Sequence, residues 1–186
     1  MVEVEVENIV VSFSVSSCLD LPILAKILPD AHYNPDEVPV IILQFPHPRS
    51  MATLSSTGQV TVTGPRSMEE VDDVIRMVFD RLNVAGVEVN ETPEVTIQNV
   101  TTSTDLHQKI KLRHIARSLQ IEGYSPRIFP GLIYNRDDPN TVILLFDSGK
   151  IVCNGLRLED VTVALEKMLE KLLSFGMKME EDVCQK

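Results

Sequence analysis

Few residues in this chain are arranged for catalysis. The cysteines, Cys18, Cys153 and Cys184, are odd in number and follow no metal-ligand spacing. They point neither to a disulfide framework nor to a zinc site, and an undisulfided chain fits a reducing compartment. The histidines, His32, His47, His107 and His114, form no triad or metal pattern with Asp, Glu or Cys. The best carboxylate pair, Asp137-Asp138, is followed by Pro139, and an Asp-Pro step of this kind makes a turn. No glycine-rich loop is spaced to cradle a phosphate. No catalytic residue, metal ligand or cofactor is therefore assigned, and an enzyme is not expected. The chemistry that does stand out is that of contact. Val142-Ile143-Leu144-Leu145-Phe146 and Ile151-Val152-Cys153 are apolar on both faces of an extended segment. An apolar sheet face left uncovered is a binding surface, unless a second copy or a further layer covers it.

The elements that would position these runs come in two copies. Shifted by 91 residues, the chain lies on itself. Asn8 meets Asn99, Ser12 meets Ser103, Tyr33 and Pro35 meet Tyr124 and Pro126, and Gly58, Gly64 and Arg66 meet Gly149, Gly155 and Arg157. Beyond that point the shift is 90, so that Val71, Ile75 and Leu82 meet Val161, Leu165 and Leu172. One residue was gained or lost at the start of the last helix. Two copies are too few for a solenoid and imply a pseudo-two-fold molecule.

Each copy reads as strand, helix, strands, helix. Residues 2–15 alternate as a strand. Asp20 is a helix cap with Pro22 in the first turn, and Pro29 helps end that helix. Val38–Phe45, Ser50–Ser56 and Gln59–Thr63 are strands, the last two joined at Thr57-Gly58. Ser67 and Glu70 have capping-box spacing before an amphipathic helix from Met68 to about Val84. In the second copy a helix over about 106–119 would carry Lys109, Lys111, Arg113 and Arg117. This is either a solvated basic face or a contact for a partner or upstream DNA. Helices with one apolar face suggest all four on one side of an antiparallel sheet.

The 186 residues carry 17 basic and 27 acidic side chains, a net charge of −10. Alone, that argues against non-specific binding of a polyanion. The charge is uneven: residues 1–91 hold 5 basic and 14 acidic side chains, and residues 92–186 hold 12 and 13. The acidic, alternating N-terminus reads as a first strand of a protein that stays inside the cell. No apolar run approaches the roughly 20 residues of a membrane span.

With the repeat in place, the chain resembles the core domain of the TATA-binding protein family over roughly residues 4–178. The motifs are Gln98-Asn99, Phe129-Pro130-Gly131-Leu132-Ile133-Tyr134, the run Val142 to Cys153, and in the first copy Glu7-Asn8-Ile9-Val10, Leu19-Asp20-Leu21, Tyr33-Asn34-Pro35 and Thr63-Gly64. The short form is similar to archaeal members, which implies the cytoplasm (the nucleus in a eukaryote). The resemblance implies an α+β fold: a pseudo-two-fold saddle with a ten-stranded antiparallel sheet and four helices on its convex face. It implies one repeat over 1–91, a second over 92–180 and an acidic tail over 181–186.

The resemblance also implies function: a general initiation factor that binds and bends double-stranded A·T-rich promoter DNA in the minor groove and recruits transcription factor B and RNA polymerase. Apolar wedges unstack base steps, and the bent duplex then covers more protein. Asn8 and Asn99 match the asparagines near the pseudo-dyad; Val10, Thr61, Thr63, Thr101 and Val152 match groove contacts. Phe129 and Phe146 match one wedge pair, whereas Val38 and Ser55 stand at the other. Asn154 replaces a usual threonine. Arg49, Arg66, Lys150 and Arg157 keep phosphate-contact positions, while Gln44, Gln59, Asn135 and Asn140 replace Arg or Lys. Ser125, Arg127 and Ile128 occupy the factor B loop, where two glutamates and a leucine are usual. The alternative is a divergent paralog with weak or no autonomous DNA binding, acting as a regulatory protein-interaction module or dimerising through its concave face.

Overall fold

A computed structural model describes residues 4–16, 18–89, 92–135, 137 and 140–176. The expected tail at 181–186, with Cys184, lies outside the described residues, as do Arg136, Asp138 and Pro139. Contacts divide the chain into two compact units: Glu7–Asn99, and Val100 onward together with the residues up to Val6.

In the first unit, β1 (Glu5–Ser14) leads to α1 (Leu21–Ile27), β2 (His32–Asn34), β3 (Val38–Pro46), β4 (Arg49–Ser55), β5 (Gln59–Thr63) and α2 (Met68–Val84). The strands run in the order β2-β3-β4-β5-β1, each antiparallel to its neighbour. Period-two alternation sends Val11, Phe13, Ile41, Leu43, Ala52, Leu54, Val60 and Val62 to one face, where they are buried. Leu21 and Leu24 of α1 and Val71, Val74, Val78 and Leu82 of α2 close that core, and Phe13 meets Phe79 edge-on at 6.1 Å.

The helix starts are built as the spacing indicates. Asp20 Oδ1 accepts from the Ile23 amide at 3.1 Å, with Pro22 in the first turn. Ser67 Oγ accepts from the Glu70 amide at 3.1 Å. Glu70 reaches back to the amide of Arg66, one residue earlier than a reciprocal capping box would.

The second unit carries β6 (Thr96–Asp105), whose first residues belong to the other unit, then α3 (Leu112–Ser118), β7 (Leu132–Tyr134), β8 (Val142–Leu145), β9 (Lys150–Gly155) and α4 (Leu158–Ser174). Its strands run β6-β9-β8-β7. Leu132, Tyr134, Ile143, Leu145, Ile151 and Cys153 form a core with Leu112, Ile115 and Ala116 of α3 and Val161, Leu165, Met168 and Leu172 of α4.

Two expectations are corrected. Among the described residues there are nine strands, not ten. The position of β2 falls at Gly123-Tyr124-Ser125 in the second copy, where Gly123 has φ +78 and Pro126 follows. A proline also follows β2 in the first copy, so the difference lies in Gly123, whose left-handed backbone turns the chain off the extended path of a ladder. The helix placed at 106–119 is confined to Leu112–Ser118. His107 has φ 53, Asp105 Oδ1 accepts its amide, and the amides of Leu106 and Ile110 bond to the carbonyls of Gly149 and Asp147. These amides are spent on Asp105 and on the β8–β9 turn instead of a helix. Finally, the one-residue change of register coincides with the loss of a cap. α2 and α4 are each 17 residues long, but Arg157 stands at the N-cap of α4 with no side-chain cap bond.

Candidate nucleic-acid interface

In each unit the helices take one sheet face and leave the other bare. On the bare face of the first unit, Asn8 and Val10 of β1, Gln59, Thr61 and Thr63 of β5, Arg49 and Ser55 of β4 and Val38 of β3 alternate with the buried residues. One row across four strands is Ser12, Thr61, Thr53 and Ile42. The row is rich in hydroxyls. Ser55 Oγ pairs with Thr57 Oγ1 at 2.7 Å, and Val38 is 52% exposed.

Asn8 is held by its oxygen. Its Oδ1 accepts from the Gly64 amide at 2.7 Å and from Thr63 Oγ1 at 3.3 Å. These bonds fix which way the amide is turned and leave Nδ2, a donor, as the group facing outward chemistry. Gln98 Nε2 donates to Ser12 Oγ at 2.7 Å.

The same row in the second unit reads Ser103, Val152, Leu144 and Ile133. Two threonines have become valine and leucine. Lys150, Val152 and Asn154 share the bare side of β9, as their alternation requires. Thr101 Oγ1 lies 2.7 Å from Asn154 Oδ1, on the paired residues of β6 and β9. Asn99 is half-buried on β6. Phe129, just before β7, and Phe146, just after β8, are half-buried with ring centroids 6.2 Å apart at 60°. Gly131 makes this arrangement fit: a Cβ there would lie 2.7 Å from Phe129 Cε1 and 3.1 Å from Phe146 Cε1. The equivalent residue in the first copy is Val40, paired with Ser55.

The cations are peripheral. Arg49 and Lys150 are exposed at strand ends. Arg66, exposed, lies 3.7 Å from the half-buried Glu7, and Arg157 lies 3.8 Å from Asp160. Ser125, Arg127 and Ile128 form a turn in which the amides of Ile128 and Phe129 bond to the Ser125 carbonyl, and Ile128 is 86% exposed. Sequence reasoning named Val142, Leu144 and Ile133 within apolar runs and motifs but not as individual contacts, and Ile42 only within a strand. Alternation outward from Phe146 and Val152 was the signal that could have found them.

Asp137, the described member of the carboxylate pair, is engaged structurally. Lys171 Nζ donates to both its oxygens at 2.6 Å and lies 2.5 Å from Tyr134 Oη, which donates to Asp137 at 2.8 Å. The Lys171 bond holds the Asp137 carboxyl below its ordinary range. Burial opposes the charge on Lys171, but the bonds it donates to Asp137 and Tyr134 outweigh it and raise its pKa; burial raises that of Tyr134. Among the described residues no cluster of His, Cys, Asp and Glu could hold a metal ion, and no helix is long and apolar enough to cross a membrane. Cys18 is exposed and Cys153 is buried.

Tandem α+β repeats, each presenting a bare sheet face that carries asparagine and hydroxyl groups, with an aromatic pair on one of them, describe a binding protein built on sheet surfaces. The chain belongs to the TATA-binding protein family. The profile for "Transcription factor TFIID (or TATA-binding protein, TBP)" matches residues 3–85 and 94–175. The chain is 37% identical to TATA-box-binding protein 2 of Haloferax volcanii over 177 residues, covering 94% of this chain and 95% of that one. It is 39% identical to the TATA-box-binding protein of Thermococcus sibiricus over 181 residues, covering 97% and 98%. The solved TBP of Methanococcus jannaschii superposes with a TM-score of 0.82 at 37% identity, covering 92% of this chain and 99% of that one. The two-repeat fold with four helices and the likeness to archaeal members hold as expected; the strands number nine among the described residues.

Proposed function

We propose that the chain is a general initiation factor that binds A·T-rich duplex DNA in the minor groove, bends it, and recruits transcription factor B and RNA polymerase. The observation that carries this reading is the Phe129–Phe146 pair seated over Gly131 beside the apolar row Val152, Leu144 and Ile133. An apolar face suits the sugar and base edges of a minor groove, and two adjacent rings suit insertion at a deformable step. The donor nitrogen of Asn8, with Asn99 at the matching position of the second copy, suits a groove floor that offers acceptors at A·T pairs. Val10, Thr61, Thr63, Thr101 and Asn154 complete the contact set, and Ser125, Arg127 and Ile128 form the factor B loop. With Arg49, Arg66, Lys150 and Arg157 as the cations available to phosphates, log affinity should fall against log salt with a slope of about −4 or shallower.

The test is anisotropy of a labelled A·T-rich promoter duplex over a salt series, with and without factor B. Tight binding at a shallow slope supports the reading. A second reading, a protein-interaction paralog or a homodimer formed on the bare faces, is favoured by the hydroxyl-rich row of the first unit and by Val38 and Ser55. Loss of binding under both conditions, with dimers in sedimentation, would establish it instead.

A further inference from the structure

We propose that the bare face of the first unit accepts G·C base pairs, with the Thr53 and Thr61 hydroxyls taking the exocyclic amino group of guanine. The inference rests on the DNA reading above and deepens it: A·T pairs are required only where the duplex meets the second unit.

Thr53 and Thr61 stand opposite one another on β4 and β5. They alternate with Ala52, Leu54, Val60 and Val62, which are buried, so their half-buried side chains lie on the bare face. Thr53 Oγ1 donates to the Thr61 carbonyl at 3.5 Å. That turns its proton along the sheet and leaves its lone pairs for a ligand. Thr61 makes no side-chain hydrogen bond among the described residues, so its hydroxyl can turn as donor or acceptor. Ser12, next in the row, already accepts from Gln98. The surroundings are not those of a face that only meets water. Val10, Val40, Ile42 and Met51 flank the pair on the same side, half-buried, and no charged side chain stands among them.

The second unit supplies the contrast. At the places of Thr61 and Thr53 it has Val152 and Leu144, and its Ser103 is buried. In the minor groove an A·T pair presents acceptors alone, whereas a G·C pair adds the N2 amino donor. Pressed against valine and leucine, that donor loses water and gains no acceptor, so the second unit rejects G·C. Against two threonines it gains acceptors, and Thr61 can instead donate to an A·T pair. Duplex stiffness raises no further objection. Val38 and Ser55 carry no ring to insert, so the steps they meet need not be the easily kinked ones.

The test is anisotropy of the full chain with four duplexes. One is A·T-rich throughout, one has two G·C pairs in one half, one has two in each half, and one has two I·C pairs in one half. Inosine lacks the amino group, so an I·C pair shows an A·T-like minor groove. One G·C half should lower affinity less than threefold, and G·C in both halves at least a further tenfold. In the parent, I·C should bind no better than G·C. In the Thr53→Val, Thr61→Val variant, where a methyl group replaces each hydroxyl, one G·C half should cost at least tenfold and I·C should recover most of that loss. Ratios are taken between duplexes within each protein, so a general change of affinity in the variant cancels, and melting checks its fold. A tenfold loss for one G·C half in the parent overturns the proposal and leaves the DNA reading standing. So does equal tolerance of G·C in both halves, or an unchanged ratio in the folded variant. Failure to bind even the A·T-rich duplex removes the DNA reading, and this inference with it.

Discussion

Phe129 lies so close over Gly131 that a methyl group there would come within 2.7 Å of its Cε1. The clash is with the far end of a side chain, so the fold can yield while the ring cannot keep its place. Gly131→Ala should leave stability within about 1 kcal/mol of the parent by thermal melting. It should lower affinity for an A·T-rich duplex about tenfold, equivalent to about 1.4 kcal/mol. Unchanged affinity would show that the position of this ring does not matter for binding.

Asn8→Asp separates the two ends of one amide. The carboxylate still accepts from the Gly64 amide and Thr63, so stability should change by less than about 1 kcal/mol. The donor is lost, and a negative charge would face groove acceptors, so duplex affinity should fall at least tenfold. An affinity equal to that of the parent would remove Asn8 from the interface.

The first copy lacks more than two phenylalanines. Val38, Val40 and Ser55 occupy the places of Phe129, Gly131 and Phe146, and Val40 pairs with Ser55. Val38→Phe with Ser55→Phe should not reproduce the second unit's ring geometry, because Val40 fills the space that Gly131 leaves open. Adding Val40→Gly should do so, at about 0.5–1 kcal/mol for a glycine in a strand. Energy transfer between dyes on the two ends of a bound duplex should rise for the triple variant over the parent and the double variant. Equal transfer in all three would rule out wedging at this position.

Lys171→Met removes the cation that holds Asp137 ionised and leaves Tyr134 with the carboxylate alone. Because the folded pKa of Asp137 is lowered, its contribution exists above the ordinary carboxylate pKa and is lost as pH falls through the folded value. The pair is about one-third exposed on each side, so the loss at pH 7 should be about 1 kcal/mol or less. Chemical denaturation should show the two proteins converging as pH falls below the ordinary carboxylate range.

Much of this arrangement was legible from residues. The alternation of Lys150, Val152 and Asn154 placed all three on one side of β9, because a strand has only two sides. Met68–Val84 was readable to its ends, since a cap at Ser67 and a one-sided apolar stripe agree. Residues 106–111 were not. Their apolar and basic pattern suits a helix, yet the amides of Leu106 and Ile110 bond to a turn some forty residues away, and local propensity carries no signal of such a partner. The fit of Gly131 beneath two rings was also hidden, because a glycine shows its purpose only when the neighbours that need its space are in place.

The bare start of α4 has a consequence for motion. Ser67 Oγ and Glu70 occupy amides at the start of α2, but Arg157 offers no side-chain acceptor to α4. Helix ends without a cap fray, and each lost cap is worth about 1 kcal/mol. Two helices of the same length, descended from one repeat, therefore open at different rates at their first turns. Amide hydrogens at the start of α4 would trade with deuterium sooner than their counterparts in α2, so the older symmetry of the sequence survives in the fold but not in its breathing.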